Sequence, residues 1–269
     1  MQIASDAEII LLAVGANWDS DGEGGDRSTL TLSHNQTQLA SSIFSLNKPL
    51  ILILQGGRPF AIPQFYSRAA GVINAFFPGQ QGGKAISDVL FGITNPGGRV
   101  PISVPRDVGT LPSYYWYKET ARVNVYLDEE WQPCYSFGYG LSYTTFATSG
   151  FRAWSSGGNE TFGVGDTIFF EVEVENIGNV EGSYVAQVYL LRRMSSVTQP
   201  VRKLMAFQRV YLGPGENRVV RMELEVDRYL PILNREWEWE LEKGTYTFAL
   251  LENASPGADR IVNATLRCG

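Results

Sequence analysis

One histidine, His34, occurs in 269 residues. A Ser-His-Asp triad would have to be built on it, and a cluster of histidine metal ligands is excluded. Cysteine is nearly as scarce. Cys134 and Cys268 stand far apart, which gives neither a zinc spacing nor a disulfide framework and leaves their pairing open. Basic charge is short: 22 Lys and Arg against 28 Asp and Glu give a net charge of −6, the wrong sign for non-specific nucleic-acid binding. No run of about 20 apolar residues is present, so no membrane-spanning helix is expected. No basic segment, apolar core and small-residue cleavage site follow Met1, so no signal peptide is visible in this chain. The glycine-rich stretches GGRP (Gly56–Pro59) and PGQQGG (Pro78–Gly83) lack the lysine and spacing of a phosphate-binding loop, which argues against a nucleotide.

What is present is an ordinary globular composition, 44% apolar, in a chain long enough for one large or two ordinary domains. Four N-x-S/T sequons, at Asn35, Asn159, Asn253 and Asn263, lean toward a secreted protein. Beside the missing leader, they hint that Met1 is not the start of the complete protein.

Two periodicities divide the chain. The first half alternates short apolar runs with helical patterns. AEIILLAVG (Ala7–Gly15), PLILILQGG (Pro49–Gly57) and AGVINAFF (Ala70–Phe77) read as strands, the first two as strands buried on both faces of a parallel sheet. RVPISVP (Arg99–Pro105) reads as a fourth. SHNQTQLASSIFSL (Ser33–Leu46) places Leu39, Ile43 and Leu46 at helical spacing behind Ser33 as N-cap. GGKAISDVLFG (Gly82–Gly92) is a helix stopped by Gly92. The β-α alternation predicts an α/β sandwich domain with a largely parallel sheet. From about Phe146 the period becomes two. TIFFEVEVEN (Thr167–Asn176), SYVAQVYLLRR (Ser183–Arg193), KLMAFQRVYL (Lys203–Leu212), NRVVRMELEV (Asn217–Val226), GTYTFALLEN (Gly244–Asn253) and DRIVNATLRC (Asp259–Cys268) are strands separated by turn clusters. They predict an all-β, immunoglobulin-like sandwich that serves for packing rather than catalysis. Between the halves, Asp107–Tyr143 is rich in Pro, Tyr and Trp. Those aromatics can stack on sugar rings or bury a long connector.

GANWDSDGEGGDRSTLTL (Gly15–Leu32) sets Asp19, Asp21, Glu23 and Asp26 just after the first strand. A solvated turn, a metal loop and a catalytic carboxylate are the competing readings. Counted from Asp19, the twelfth position of a calcium loop falls on Leu30, where a glutamate is required. His34 follows at a helix start and suits a surface or capping role.

FFPGQQGGKAISDVLFGITNPGGRVPISVP (Phe76–Pro105), GTLPSYYWYK (Gly109–Lys118) and CYSFGYGLSYTTF (Cys134–Phe146), preceded by GEGGDRSTLTL and LILILQGGRPFAIP, resemble the C-terminal part of glycoside hydrolase family 3. That family includes β-glucosidases and β-xylosidases. Ser136 departs from it, since proline is commoner there. The resemblance implies an α/β sandwich domain over 1–145, including the connector 107–145, and a fibronectin type III-like domain over 146–269. It also implies an N-terminal barrel, absent here, which carries the nucleophilic aspartate; the Trp-Asp-Ser at Trp18 is not assigned that role. The implied activity is retaining hydrolysis of terminal β-linked glucose or xylose, by a secreted enzyme without metal or organic cofactor. The implied partners are a β-linked oligosaccharide or glycoside and the family's barrel domain, with no nucleic acid and no membrane. Two carboxyl groups flank the scissile bond in such chemistry. The resemblance gives Glu23 the general acid/base role, with Asp21 and Asp19 as backups and Trp18 as a candidate substrate contact. Asp26 and Arg27 are expected to form an ion pair that anchors the loop. The alternative is a non-catalytic carbohydrate-binding or interaction protein derived from such an enzyme. Surface left bare around Gly15–Arg27 and the Tyr114–Tyr117 aromatics predicts self-association.

Overall fold

The structure, a computed structural model, describes residues 2–17, 21–119, 126–157, 160–191, 194–256 and 262–268. The chain divides into two compact units. The first holds Met1–Thr94, Ser103–Ser113 and Val125–Tyr135, and the second holds Asn95–Ile102, Tyr114–Asn124 and Ser136–Gly269.

The first unit runs α1 (Gln2–Asp6), β1 (Ile10–Gly15), α2 (His34–Phe44), β2 (Leu50–Gln55), α3 (Pro63–Tyr66), β3 (Gly71–Phe76) and α4 (Gly82–Leu90). The strands form a parallel sheet in the order β1-β2-β3, with Ile10 beside Leu50 and Gly15 beside Gln55. Ser33 caps α2 by accepting the Gln36 amide, and Gly92, at φ +72°, follows α4 in the left-handed geometry that ends a helix. Ile10, Leu12 and Val14 face the core with Leu50, Leu52 and Leu54, against Ile43, Phe44 and Phe65. The rings of Phe44 and Phe65 stack at 5.2 Å, so α2 and α3 cover the same sheet face.

Two expectations change here. β1 is covered on one face only: its residues alternate buried and exposed, and Leu11 is 51% exposed. The apolar run reads as doubly buried because Ile9, Leu11 and Ala13 are apolar too, yet none of them enters the core. Arg99–Pro105 is not a strand. It makes a single bridge, Val104 with Tyr135, since Pro101 and Pro105 have no amide to donate to a ladder.

Among its described residues, the second unit is all-β apart from one turn of helix. Its elements are β4 (Phe146–Ser155), β5 (Thr161–Phe162), β6 (Thr167–Asn176), β7 (Gly182–Leu190), β8 (Lys203–Leu212), β9 (Asn217–Glu225), α5 (Val226–Tyr229), β10 (Ile232–Leu233), β11 (Trp239–Glu240), β12 (Gly244–Leu250) and β13 (Val262–Cys268). One sheet is β4-β6-β9, a second is β5-β13-β12-β7-β8, and β10 and β11 form a separate hairpin. Ile168, Phe170, Val172 and Val174 of β6 pack against Tyr184, Val188, Tyr246 and Phe248 of the second sheet. This is a two-sheet sandwich with the inward period of two that such cores require. The outer face of β7 is buried as well. Tyr115 stacks on Phe137 at 4.3 Å and meets Tyr189 edge-on, while Gln187 donates to the carbonyls of Gly138 and Glu252. Gly138 has φ +81°, and a β-carbon there would lie 2.3 Å from Gln187 Oε1. Tyr115 and Phe137 are therefore packing residues, whereas Tyr114 and Trp116 remain exposed.

Asn176 ties one end of the sandwich. Its side chain is fully buried, accepts from the Thr144 hydroxyl (2.6 Å) and the Gly178 amide (3.1 Å), and donates to the carbonyls of Val180 (2.8 Å) and Leu212 (3.0 Å). An orphaned buried polar group costs about 1–3 kcal/mol, so Asn176→Ala is expected to destabilise this unit by about 2–4 kcal/mol. Denaturant unfolding with amide exchange across β6 and β8 measures it. A loss below about 0.5 kcal/mol would contradict the anchoring role.

Candidate active site

β1 and β2 are parallel and in register, so both chains leave the sheet at the same end, where ligand sites of open α/β sheets form. Gly15 closes β1 at φ +146°, and a β-carbon there would sit 1.8 Å from the Gln55 carbonyl oxygen. Only glycine fits that approach. The Gln36 side chain clasps the backbone of Gly15 on both sides, donating to its carbonyl and accepting from its amide, each at 3.0 Å. Ala16 N–H donates to Gln55 O at 2.7 Å. The root of the acidic loop is thus fixed by three hydrogen bonds before the first acid is reached.

Beyond the root, the Asp21 amide donates to Asn17 O, and the Gly25 amide closes a turn onto Gly22 O at 2.9 Å. Gly24 takes φ +78° within that turn. Asp21 and Arg58 form an ion pair of 2.5 Å, with both side chains largely sequestered. The geometry is that of a charge contact rather than an aligned hydrogen bond, and the Arg58 Nε finds no acceptor. The loop then returns through Leu30, whose carbonyl accepts the Ala61 amide, and Leu32, which is buried in the core.

The four acids therefore have different surroundings. Asp21 is held against Arg58. Glu23 is exposed and makes no hydrogen bond or ion pair to any described residue. Asp19 and Trp18 lie outside the described residues. Asp26 is exposed, and it forms no ion pair with Arg27 among the described residues. The anchoring pair is Asp21–Arg58. Arg58 reaches the loop from just beyond the end of the neighbouring strand. His34 is exposed in the first turn of α2, as a surface residue would be. Neither Cys134 nor Cys268 is in a disulfide, and burial pushes the Cys134 thiol up from its usual range.

Sequence reasoning passed over Arg58 and Gln36. In the sequence, Arg58 stands out only within GGRP, a glycine-rich stretch without the lysine of a phosphate loop. The usable signal was positional: Gly15 and Gly56-Gly57 end adjacent parallel strands, so the residues after them share one end of the sheet.

The model of the glycosyl hydrolase family 3 C-terminal domain matches residues 1–143, and that of the fibronectin type III-like domain matches residues 184–254. The chain belongs to glycosyl hydrolase family 3. Its curated relatives include a periplasmic beta-glucosidase of Salmonella typhimurium, 35% identical over 91% of this chain and 33% of the relative. They also include a beta-xylosidase of Formosa agariphila, 34% identical over 98% of this chain and 36% of the relative. The beta-glucosidase of Listeria innocua, solved in complex with gluconolactone, superposes with a TM-score of 0.88 at 28% identity, covering 100% of this chain and 37% of that one. The beta-glucosidase of Kluyveromyces marxianus gives a TM-score of 0.80 at 26% identity, over 100% of this chain and 33% of that one. The chain spans about a third of the length of the curated relatives it matches.

The anchoring role of Arg58 has a direct consequence. Arg58→Met leaves a sequestered carboxylate without its counter-charge, which costs about 1–3 kcal/mol locally at this partial exposure. Amide exchange at Asp21 and Gly25 is expected to accelerate, and Asp21→Asn in the same chain is expected to recover most of the loss. Glu23→Gln is expected to change neither. Equal exchange in all four chains would remove the anchor.

Proposed function

We propose that this chain is the C-terminal portion of a retaining, exo-acting β-glycosidase that releases terminal β-linked glucose or xylose, and that Glu23 is its general acid/base. The observation that carries the choice of Glu23 is its freedom. It projects, unpaired among the described residues, from a loop whose root and flank are pinned by Gln36 and by Asp21–Arg58. A general acid has to hand a proton to the leaving oxygen and later take one from water, so its carboxyl cannot be committed to a permanent cation. Asp21 is so committed and serves as the loop's anchor. The glycines at Gly22, Gly24 and Gly25 let the backbone bring the carboxyl close to a sugar. The nucleophile belongs to the barrel that the family resemblance implies. The names of the relatives, beta-glucosidase and beta-xylosidase, support the substrate class, and a periplasmic relative supports a location outside the cytoplasm.

A second reading, a non-catalytic carbohydrate-binding protein, draws on the exposed tryptophans of the second unit. Aryl β-glucoside and β-xyloside assays on the enzyme with its barrel separate the two. Glu23→Ala is expected to lose about 10²–10⁴-fold on substrates with poor leaving groups. It should lose far less in glycosylation by activated aryl glycosides, and azide should rescue the deglycosylation step. Asp26→Ala is expected to show neither signature. The signature appearing at Asp21→Ala instead would move the role to that residue.

Self-association of the isolated chain is supported by Leu11, Phe91 and Ile93, all large, apolar and exposed on the first unit. Sedimentation is expected to show concentration-dependent oligomers. A clean monomer at high concentration would refute this.

A further inference from the structure

The β10–β11 hairpin carries a residue that its own turn disfavours. Leu233 pairs with Trp239, Asn234 N–H donates to Glu238 O at 2.9 Å, and Trp237 N–H donates to Asn234 O at 3.2 Å. The loop between is Arg235-Glu236-Trp237. Such a three-residue loop ends in a left-handed residue, for which glycine or asparagine is the natural choice. Here it is Trp237, at φ +65°. A bulky side chain in that conformation is a genuine outlier. Burial does not offset the strain, because Trp237 is 81% exposed. Trp239, two residues on, is 75% exposed.

The turn is nonetheless firmly held. Asn234 Oδ1 accepts the amides of Glu236 (3.0 Å) and Glu238 (2.9 Å), and its Nδ2 donates to Glu240 Oε2 at 3.1 Å. Strain that a rigid turn sustains without return to the fold points to use outside the fold.

We propose that Trp237 and Trp239 form a binding platform for a neutral, β-linked glycan chain. Indole rings offer flat apolar faces to the C–H face of a pyranose. Glu236 and Glu238, both exposed, offer carboxylate acceptors to sugar hydroxyls. Charge selects against the other occupants. Glu236, Glu238 and Glu240 outweigh Arg235, so anionic polymers and anionic membranes are repelled. A second copy of a chain of net charge −6 would bring the same carboxylates face to face. These charges exclude an anionic ligand, and the neutrality of a glucose- or xylose-based chain rests on the glycosidase reading above. Its β-linkage rests on the same reading.

Native gel electrophoresis of the full chain through soluble mixed-linkage β-glucan, arabinoxylan or polygalacturonate tests the platform. The two neutral polymers are expected to retard the chain, and the anionic one is not. Trp237→Gly is expected to weaken retardation about tenfold or more, the scale of one lost ring contact, with the melting temperature unchanged or raised because the turn loses its strain. Trp237→Asn, which also tolerates the left-handed geometry, should behave alike if the glycine variant folds poorly. Trp239→Ala should weaken retardation too. No retardation of the parent chain, or equal retardation in all variants, overturns the proposal. So does retardation by polygalacturonate alone, or an oligomer that Trp237→Gly dissolves without change in glycan binding. The readout is independent of catalysis. A parent enzyme, barrel included and Glu23 in place, that is inactive on every β-glycoside yet shows intact retardation sinks the catalytic reading alone, and an active parent enzyme without retardation sinks the platform alone.

Discussion

The approach of two backbones at the end of the parallel sheet decides where every residue of the candidate site can be. At Gly15 there is no room for a side chain, because the Gln55 carbonyl occupies the position of a β-carbon. At Gly56, φ +148°, a β-carbon would press on that of Ala16 at 2.9 Å. The two strands therefore end side by side and turn away together. That shared exit brings the loop after β1 within reach of the residue after Gly56-Gly57, and Asp21 meets Arg58 there. A side chain at either glycine would separate the strand ends, and the ion pair across them would be lost with the separation.

The same exit explains why one acidic segment can hold carboxyls of different character. Like charges in a short loop repel, and they raise the cost of ordering it. Pairing Asp21 with Arg58 removes one charge from that balance and spends it on position. What remains at Glu23 is a carboxyl without a cation of its own among the described residues. An anchor needs a permanent partner, which Asp21 has in Arg58, and the role proposed for Glu23 is served by a carboxyl not committed to one.

Much of this fold is legible in the sequence, because burial on one side imposes a period. β6 and β8 fall at Thr167–Asn176 and Lys203–Leu212, the limits that alternation sets. Ser33 and Gly92 mark helix ends through hydrogen bonding and left-handed geometry that those residue types favour. The failures also have a cause. Apolar content in β1 does not say which face a helix will cover, and Leu11 is left outside. Arg99–Pro105 has strand composition, but its prolines remove the donors that a ladder needs. Within the site, the acids were visible as a cluster while their division was not. Asp21 differs from Glu23 through Arg58, distant in sequence, and only the register of β1 on β2 brings that residue into range.

Three residues other than glycine adopt positive φ among the described residues, and they differ in what the surroundings return for it. Asn47 follows α2, where an asparagine tolerates the left-handed conformation and its amide donates to Phe44 O. Phe76 sits where the pairing of β2 and β3 shifts register after Leu54, and its carbonyl accepts the Gly56 amide, so the distortion serves the same strand exit that places the acidic loop. Trp237 also donates its amide three residues back, to Asn234 O, but its side chain is of a type that the left-handed conformation disfavours. Its carbonyl and ring add nothing to a core, and its hairpin would close more easily around glycine. Local rules broken for the sake of strand pairing are repaid in backbone hydrogen bonds, as at Phe76. A rule broken at a solvent-facing indole is repaid only by something the solvent brings, and that asymmetry, rather than exposure by itself, separates Trp237 from the other large side chains on the surface.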